Sequence, residues 1–324
     1  MKTIAKPCHN CIPPDRLRYL LDFMQMRQRV YLARQAGKPW PWTTDPILRD
    51  YRLENVYREQ DLQTTWLREH WLQPYGDHPN LWFAACLFRQ VNWSPTLAEI
   101  GFPEAWEPRR ALKIMRKRLK QGIKTYTSAY RLRQGPEEQC RDKPEFTVNY
   151  VLNEVYRTAQ RTQLPWEQPY CTLQEAWEWF QPFPGWGPLT AYEVVTDLRH
   201  TRYLCNAPDI YTWANPGEGA VRGICRLLGV HVETRILQYA SIRYMREAFD
   251  YLDQNRDRRI LPTLEMRDVE HSLCAYGKWR RAHDCLKVGK RVSLELFRPA
   301  CRNLFGDYVP GPPGASRAAS RAFG

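Results

Sequence analysis

The chain has 324 residues, a formal net charge of +13 and a sequence pI near 9.3. Its 43% hydrophobic content excludes disorder as the default, and no apolar run approaches the roughly 18 residues of a membrane span. The charge favours a polyanionic partner, nucleic acid ahead of an anionic membrane surface, and the 13 Trp, 18 Tyr and 11 Phe provide both core and rings able to stack on bases.

In chain order, residues 1–14 read as an irregular segment containing Pro7, Pro13 and Pro14. They carry no apolar signal-peptide core, so the ten cysteines are expected as thiols in a reducing, intracellular compartment. Asp15 is placed to cap a helix with Leu17, Leu20, Leu21, Met24 and Tyr31 near helical spacing, ending at Gly37 and Pro39. Trp40-Pro41-Trp42 reads as a stiff aromatic turn. Asp45-Pro46 starts helix-compatible sequence that runs to Leu72, with a break near Tyr51. A helix over 80–91 follows, and Pro108 opens a basic helix with an apolar stripe of Leu112, Met115 and Leu119. Residues 133–144 read as a polar loop. Further helices are predicted over 148–162, 173–180, 189–197, 220–228, 232–253 and 266–282. Residues 309–324, rich in Pro, Gly, Ser and Ala, read as a disordered tail. Strand signals are few, so the class is all-α, with one large helical domain over 15–308 that is divisible into lobes at 15–165 and 166–308.

Phe183-Pro184-Gly185-Trp186-Gly187-Pro188-Leu189-Thr190-Ala191 has the form of a helix-hairpin-helix turn. Its glycines tolerate positive φ and leave backbone N–H groups bare at the next helix start, where a DNA phosphate can sit. Gly185, Gly187 and Thr190 are therefore DNA-contact candidates, as are Lys113, Arg116 and Lys117 of the basic helix. A plain turn and a solvated helix are the competing readings. The hairpin resembles that of base-excision DNA glycosylases, which implies a glycosylase-like helical fold. Asp209 lies at about the distance of their catalytic Asp in a poorly matching context, and Leu189 stands where lyase-type members carry Lys.

Four segments together resemble the alpha-glutamyl/putrescinyl thymine pyrophosphorylase family. They are Gly37 to Leu48 (GKPWPWTTDPIL), Tyr51 to Asp61 (YRLENVYREQD), the hairpin through Tyr192 and Asp197, and Glu270 to Lys278 (EHSLCAYGK). That group includes phage amino acid:DNA transferases and the helical domain associated with 5-hydroxymethyluracil DNA kinases. The resemblance implies phage thymine hypermodification in the host cytoplasm, as protection from restriction. An amino acid or polyamine would replace pyrophosphate on activated 5-hydroxymethyluracil in double-stranded phage DNA, with a separate DNA kinase as a partner. No Gly-x4-Gly-Lys-Ser/Thr loop is present, and Gly289-Lys290 lacks its spacing, so the transferase is preferred to the kinase. The rivals are a base-flipping component of such a kinase, a glycosylase-like excision enzyme and a non-catalytic DNA-binding module.

A base must leave the duplex to be modified, and displacement of pyrophosphate needs cations on the leaving group and a base for the amine. Arg52, Asn55 and Glu59 are spaced for one helix face. Asn55 would read the uracil edge, Arg52 or Arg58 would bind phosphate, and Glu59 or Asp61 would take the amine proton; a salt-bridge ladder is the alternative. Gly217, Gly219 and Arg222 offer an anion nest at a helix start. Glu270, Cys274 and Lys278 share a face beside His271, with Glu270 and Lys278 as acid/base or phosphate-clamp candidates. Trp40, Trp42 and Tyr57 read as core before base-stacking rings. Cys8-His9-Asn10-Cys11 is a single Cys-x2-Cys without a second pair, so no metal site is assigned. No cofactor is named by the residues, although Mg2+ often assists such a leaving group.

Overall fold

Side-chain caps start the helices that open at Pro46, Lys143 and Leu173 in the computed structural model, which describes residues 11–127, 140–294 and 296. The first helix, α1 (Pro14–Gln35), is followed by α2 (Pro46–Asp50), where Asp45 accepts from the N–H groups of Ile47 (3.0 Å) and Leu48 (2.8 Å) with Pro46 in the first turn. Next come α3 (Leu62–Leu67), continued by a wide π-helical turn at Arg68–Leu72, and α4 (Leu81–Val91), which is buried along its whole length. The basic helix α6 (Pro108–Lys120) follows the short α5 (Ser94–Ile100). One continuous rod then comprises α7 (Lys143–Glu145), a π-helical segment at Phe146–Leu152, and α8 (Asn153–Ala159). The hairpin pairs α9 (Leu173–Phe180) with α10 (Pro188–Leu198); α11 (Glu218–Leu228), α12 (Gln238–Asn255) and α13 (Met266–Lys287) complete the order.

The described residues are all-helical and contain no strand; an isolated antiparallel bridge joins Tyr51 to Leu296. Apolar side chains from Ile12 to Val292 form one continuous core. It is joined across the chain by α4 on α10, and by α1 on α12 and α13. No described helix is long and apolar enough to cross a membrane.

Several expectations are corrected. Asp15 lies inside the first turn of α1, behind an N-cap at Pro13, so it complements the helix dipole without capping. The stretch 46–72 is no single broken helix: residues 51–57 are irregular and lead to a 3-10 turn at Arg58–Gln60. Residues 232–237 stay outside α12, after Gly229 ends α11 in the left-handed region. α5 has no counterpart among the predicted helices. Residues 1–10, 128–139 and 309–324, and with them Cys8, most of the expected polar loop and the expected tail, lie outside the described residues.

The hairpin turn needs Gly185, which has φ +79° and whose Cβ would come within 2.4 Å of Val151 Cγ2. Trp186 is buried in the turn and its Nε1 reaches the Val151 carbonyl (3.4 Å). The turn is thereby locked onto the Phe146–Leu152 segment. Thr190 is buried, whereas Gly187, Pro188 and Leu189 are exposed.

Candidate active site

Two of the four segments that carry the family resemblance, 37–48 and 51–61, meet α13, which itself carries the fourth. Asp45, besides capping α2, accepts from Trp279 Nε1 (3.2 Å) and pairs with His283 Nε2 (2.8 Å). The 51–61 segment meets α13 through Glu59, which pairs with Arg267 (2.7 Å), through Asp61, 3.5 Å from His271, and through the Glu54–Lys278 ion pair. Arg267, Glu270, His271, Cys274 and Lys278 recur at three- and four-residue steps, which aligns them along one side of the helix.

Close approach of α11 to α13 is a glycine effect. A Cβ on Gly223 would sit 2.3 Å from the Leu273 carbonyl oxygen, and one on Gly219 would sit 2.3 Å from Cys274 Sγ. This overturns the anion nest. Gly219 is a packing contact, the Gly217 N–H is taken by Glu270 Oε1 (3.2 Å), and Arg222 turns outward to Glu233 (3.2 Å).

The 51–61 segment is shaped by a buried cation far away in sequence. Arg27 donates to the carbonyls of Leu53 (2.9 Å) and Glu54 (3.0 Å) and to Asn55 Oδ1 (2.6 Å). A helix would have used those carbonyls internally. The Asn55 amide nitrogen donates to Gln60 O and to Asp61 Oδ1 (both 2.9 Å). Both ends of the amide hold the loop, so the expected reading of uracil by Asn55 is replaced by a structural role. Arg52, Asn55 and Glu59 do not share a helix face, because residues 52–57 are not helical. Arg52 is half-buried in that irregular stretch. Arg58, expected on phosphate, grips Glu193 with two nitrogens.

Glu193 and Asp197 lie one turn apart on the buried face of α10. Arg89 of α4 clamps Asp197 with Nε and a terminal nitrogen (both 2.5 Å), approaches Glu193 (3.3 Å) and donates to Thr64 Oγ1 (3.1 Å). All three charged side chains are at most 5% exposed. Burial pushes the Glu193 carboxyl up, but Arg58 and Arg89 outweigh it and hold it below the usual range. Removing one partner of such a pair typically costs about 3–5 kcal/mol.

Beside this closed cluster the polar groups are incompletely matched. Glu54 Oε2, Arg58 Nε and the Tyr192 hydroxyl are buried atoms without a hydrogen-bond partner, and His271 Nε2 has only Asp61 Oδ2, at 3.5 Å, beside it. Buried polar atoms are nearly always satisfied, so water or a ligand is the expected partner of these groups. These four belong to one neighbourhood. His271 acts electrostatically on Glu54, Glu193 and Glu270, and Tyr192 feels Glu270, Arg58 and Glu193. Glu270 itself is 8% exposed and forms no ion pair with any described Lys or Arg. Burial raises its carboxyl above the ordinary Glu range, with His271 pulling the other way. The half-buried Lys278 is held in its charged form by Glu54 against the effect of burial. Burial lifts the Cys274 thiol to about 11, so at neutral pH it is a thiol and a poor nucleophile.

Asp61 lies beside His271 and Lys278 pairs with Glu54, both on the α13 side that carries Glu270, whereas Arg222 turns outward. Glu54, Tyr192, Glu193 and Arg89 escaped the sequence reading of the site. A signal existed for two of them: Glu193 interrupts the apolar pattern of α10, and Arg89 that of α4, and buried charges require partners.

Of the predicted DNA contacts, Lys113 and Lys117 are exposed on α6. Arg116 is committed to Asp142 (2.7 Å) and Glu145 (3.0 Å), which corrects its assignment to phosphate. Asp209, the glycosylase-like acid, accepts the N–H groups of Leu173 (2.7 Å) and Gln174 (3.1 Å) and so caps α9. The Tyr57 hydroxyl donates to the Thr263 carbonyl (2.7 Å), a core role. Among the described residues no group of three or more His, Cys, Asp or Glu is arranged to hold a metal ion.

Residues 15–288 match the family described as the 5-hmdU DNA kinase helical domain. A 5-hmdU DNA kinase of Bacillus phage SP10 is 27% identical over 229 residues, which cover 64% of this chain and 35% of that protein. The chain thus spans about a third of that relative's length. No solved structure matches.

Proposed function

Because the chain belongs to the family of the 5-hmdU DNA kinase helical domain, we propose that it takes 5-hydroxymethyluracil bases of phage DNA, in their pyrophosphorylated form, to the polar groups around Tyr192 and Glu270. There an amino acid or polyamine displaces the pyrophosphate. The amine nitrogen bonds to the methylene carbon on C5, and the carbon–oxygen bond to pyrophosphate breaks. The electron pair leaves with that oxygen, and the nitrogen's proton passes to Glu270. The Tyr192 hydroxyl, His271 Nε2 and Glu54 Oε2 supply the hydrogen bonds that hold a flipped base. Lys278 carries positive charge toward the leaving group, and Mg2+ bound to that pyrophosphate would share the task.

The observation that carries this reading is Glu270: a buried carboxyl with a raised pKa and no described cationic partner, beside orphaned hydrogen-bonding atoms. A carboxylate of raised basicity suits proton removal from an amine near neutral pH.

A second reading has its own support. The matched relative is a 5-hmdU DNA kinase almost three times the aligned length. In that reading the chain presents the flipped base to a kinase, and the same groups serve recognition only.

Mass spectrometry of nucleosides separates the two. The protein is incubated with DNA containing pyrophosphorylated 5-hydroxymethyluracil and a pool of amino acids and polyamines. The transferase yields a nucleoside in which one amine replaces the pyrophosphate. Unchanged bases on DNA that is still bound favour the kinase partner, and free base in the supernatant would mean excision chemistry.

A further inference from the structure

Seven of the thirteen residues of α6 are Lys or Arg, and none is acidic. Three of the seven have structural work. Arg110 donates to the Ile100 carbonyl (2.8 Å), Arg116 pairs with Asp142 and Glu145, and the buried Arg118 pairs with Glu99 and donates to the Lys124 carbonyl (2.8 Å). The other four, Arg109, Lys113, Lys117 and Lys120, are exposed and form no ion pair with any described residue. They stand at i, i+4, i+8 and i+11, which aligns them in one row about 16 Å long. The structural cations thus fix the helix in place, and the unpaired ones face solvent together.

The position of that row relative to the hairpin follows from shared packing. α6 lies against the Phe146–Leu152 segment. The hairpin turn is locked to the same segment, through the space Gly185 leaves for Val151 and through Trp186 Nε1 on the Val151 carbonyl. In that turn Gly187, Pro188 and Leu189 are exposed ahead of the first internal bond of α10, from Ala191 N–H to the Gly187 carbonyl (3.1 Å). The basic row and the exposed start of α10 therefore flank one short segment.

We propose that Arg109, Lys113, Lys117 and Lys120 form a phosphate track for the duplex beside the modified base. This deepens the proposed function and rests on it for the identity of the DNA. A B-form duplex presents one negative charge per roughly 1.7 Å of axis, so a row of this length faces several phosphates. A protein partner fits poorly: interfaces are depleted in Lys and centred on apolar anchors, and α6 exposes one large apolar side chain, Leu119. The contacts are to backbone, so the track confers affinity without sequence preference.

The test uses the full chain and an unmodified 20-base-pair duplex, followed by fluorescence anisotropy over a salt series. Lys113→Gln/Lys117→Gln/Lys120→Gln is compared with Arg235→Gln/Arg258→Gln/Arg259→Gln, which removes the same charge elsewhere. The α6 variant is expected to bind at least tenfold more weakly, with its salt slope reduced by about 2 to 3, while the control keeps the wild-type slope. Equal losses in both, or none in the α6 variant, overturn the track. Tighter, α6-dependent binding of an RNA duplex overturns the assignment to DNA. Base chemistry is not read in this assay, so failure of the proposed reaction leaves its outcome unchanged.

Discussion

Glu193 on α10 and Glu270 on α13 are both buried glutamates facing the same polar interior, and their surroundings are opposite. Glu193 is gripped by Arg58 and approached by Arg89, which in turn clamps Asp197. Glu270 has one backbone N–H and no described cationic partner, among atoms that lack hydrogen bonds. The same side chain is thus a strut in one place and, under the proposed function, a reactive group in the other. The difference lies in whether the fold supplies the counter-charge or leaves it to a ligand. Glu193 stays ionised in spite of burial because two guanidiniums offset its desolvation; Glu270, without them, has its proton affinity raised.

The largest effect expected from this contrast is at Arg89. Arg89→Ala leaves Asp197 unpaired in the core and should cost about 3–5 kcal/mol in denaturant unfolding. If the variant unfolds at the wild-type midpoint, the α10 cluster is no strut and the comparison breaks. Gly223→Ala tests the packing that brings Glu270 to its place. With its Cβ against the Leu273 carbonyl, it should destabilise by about 1–3 kcal/mol and also weaken the site. Unchanged stability there would mean that α11 and α13 separate freely.

Asp268 sharpens the contrast through pH. Burial lifts its carboxyl from the ordinary 3.8 to about 7, against the pull of Arg267. The folded state therefore keeps a proton that the unfolded chain loses. This contribution to stability is complete below pH 3.8 and disappears as pH rises through about 7. Measured against Asp268→Asn, the wild type should lose relative stability from pH 4 to about 7 and level off above that. A constant gap between the two would contradict a buried, protonated Asp268. The smallest effect belongs to Arg222, whose partners Glu218 and Glu233 are exposed. Arg222→Ala should change stability by less than about 0.5 kcal/mol and leave base modification intact; a large loss of modification would revive the anion nest.

Local signals in the sequence account for much of the helical frame. Asp45-Pro46 caps and starts α2, and 173–180 appears with the bounds expected from its apolar spacing. The sequence singled out Asp61, Glu270 and Lys278, but not the partners that set their surroundings, which come from elsewhere in the chain. Arg27 sets the path of the 51–61 loop from 26 residues away or more, and no local periodicity reports that. The glycines at 219 and 223 look like a flexible loop in sequence, and only the neighbouring helix reveals them as contact points. Glu193, Asp197 and Arg89 were readable in principle as charges on apolar helices. Their partners were not, since pairing over 108 residues is a property of packing.

The most direct test of the central claim compares wild type with Glu270→Gln on DNA carrying pyrophosphorylated 5-hydroxymethyluracil, with amines present, by nucleoside mass spectrometry and DNA binding in parallel. The variant keeps the Gly217 hydrogen bond and loses only the basic oxygen. We expect equal DNA binding, an amine-bearing nucleoside from the wild type, and at least a hundredfold less of it from the variant. Equal product from both proteins would contradict the assignment of Glu270 as the reactive group.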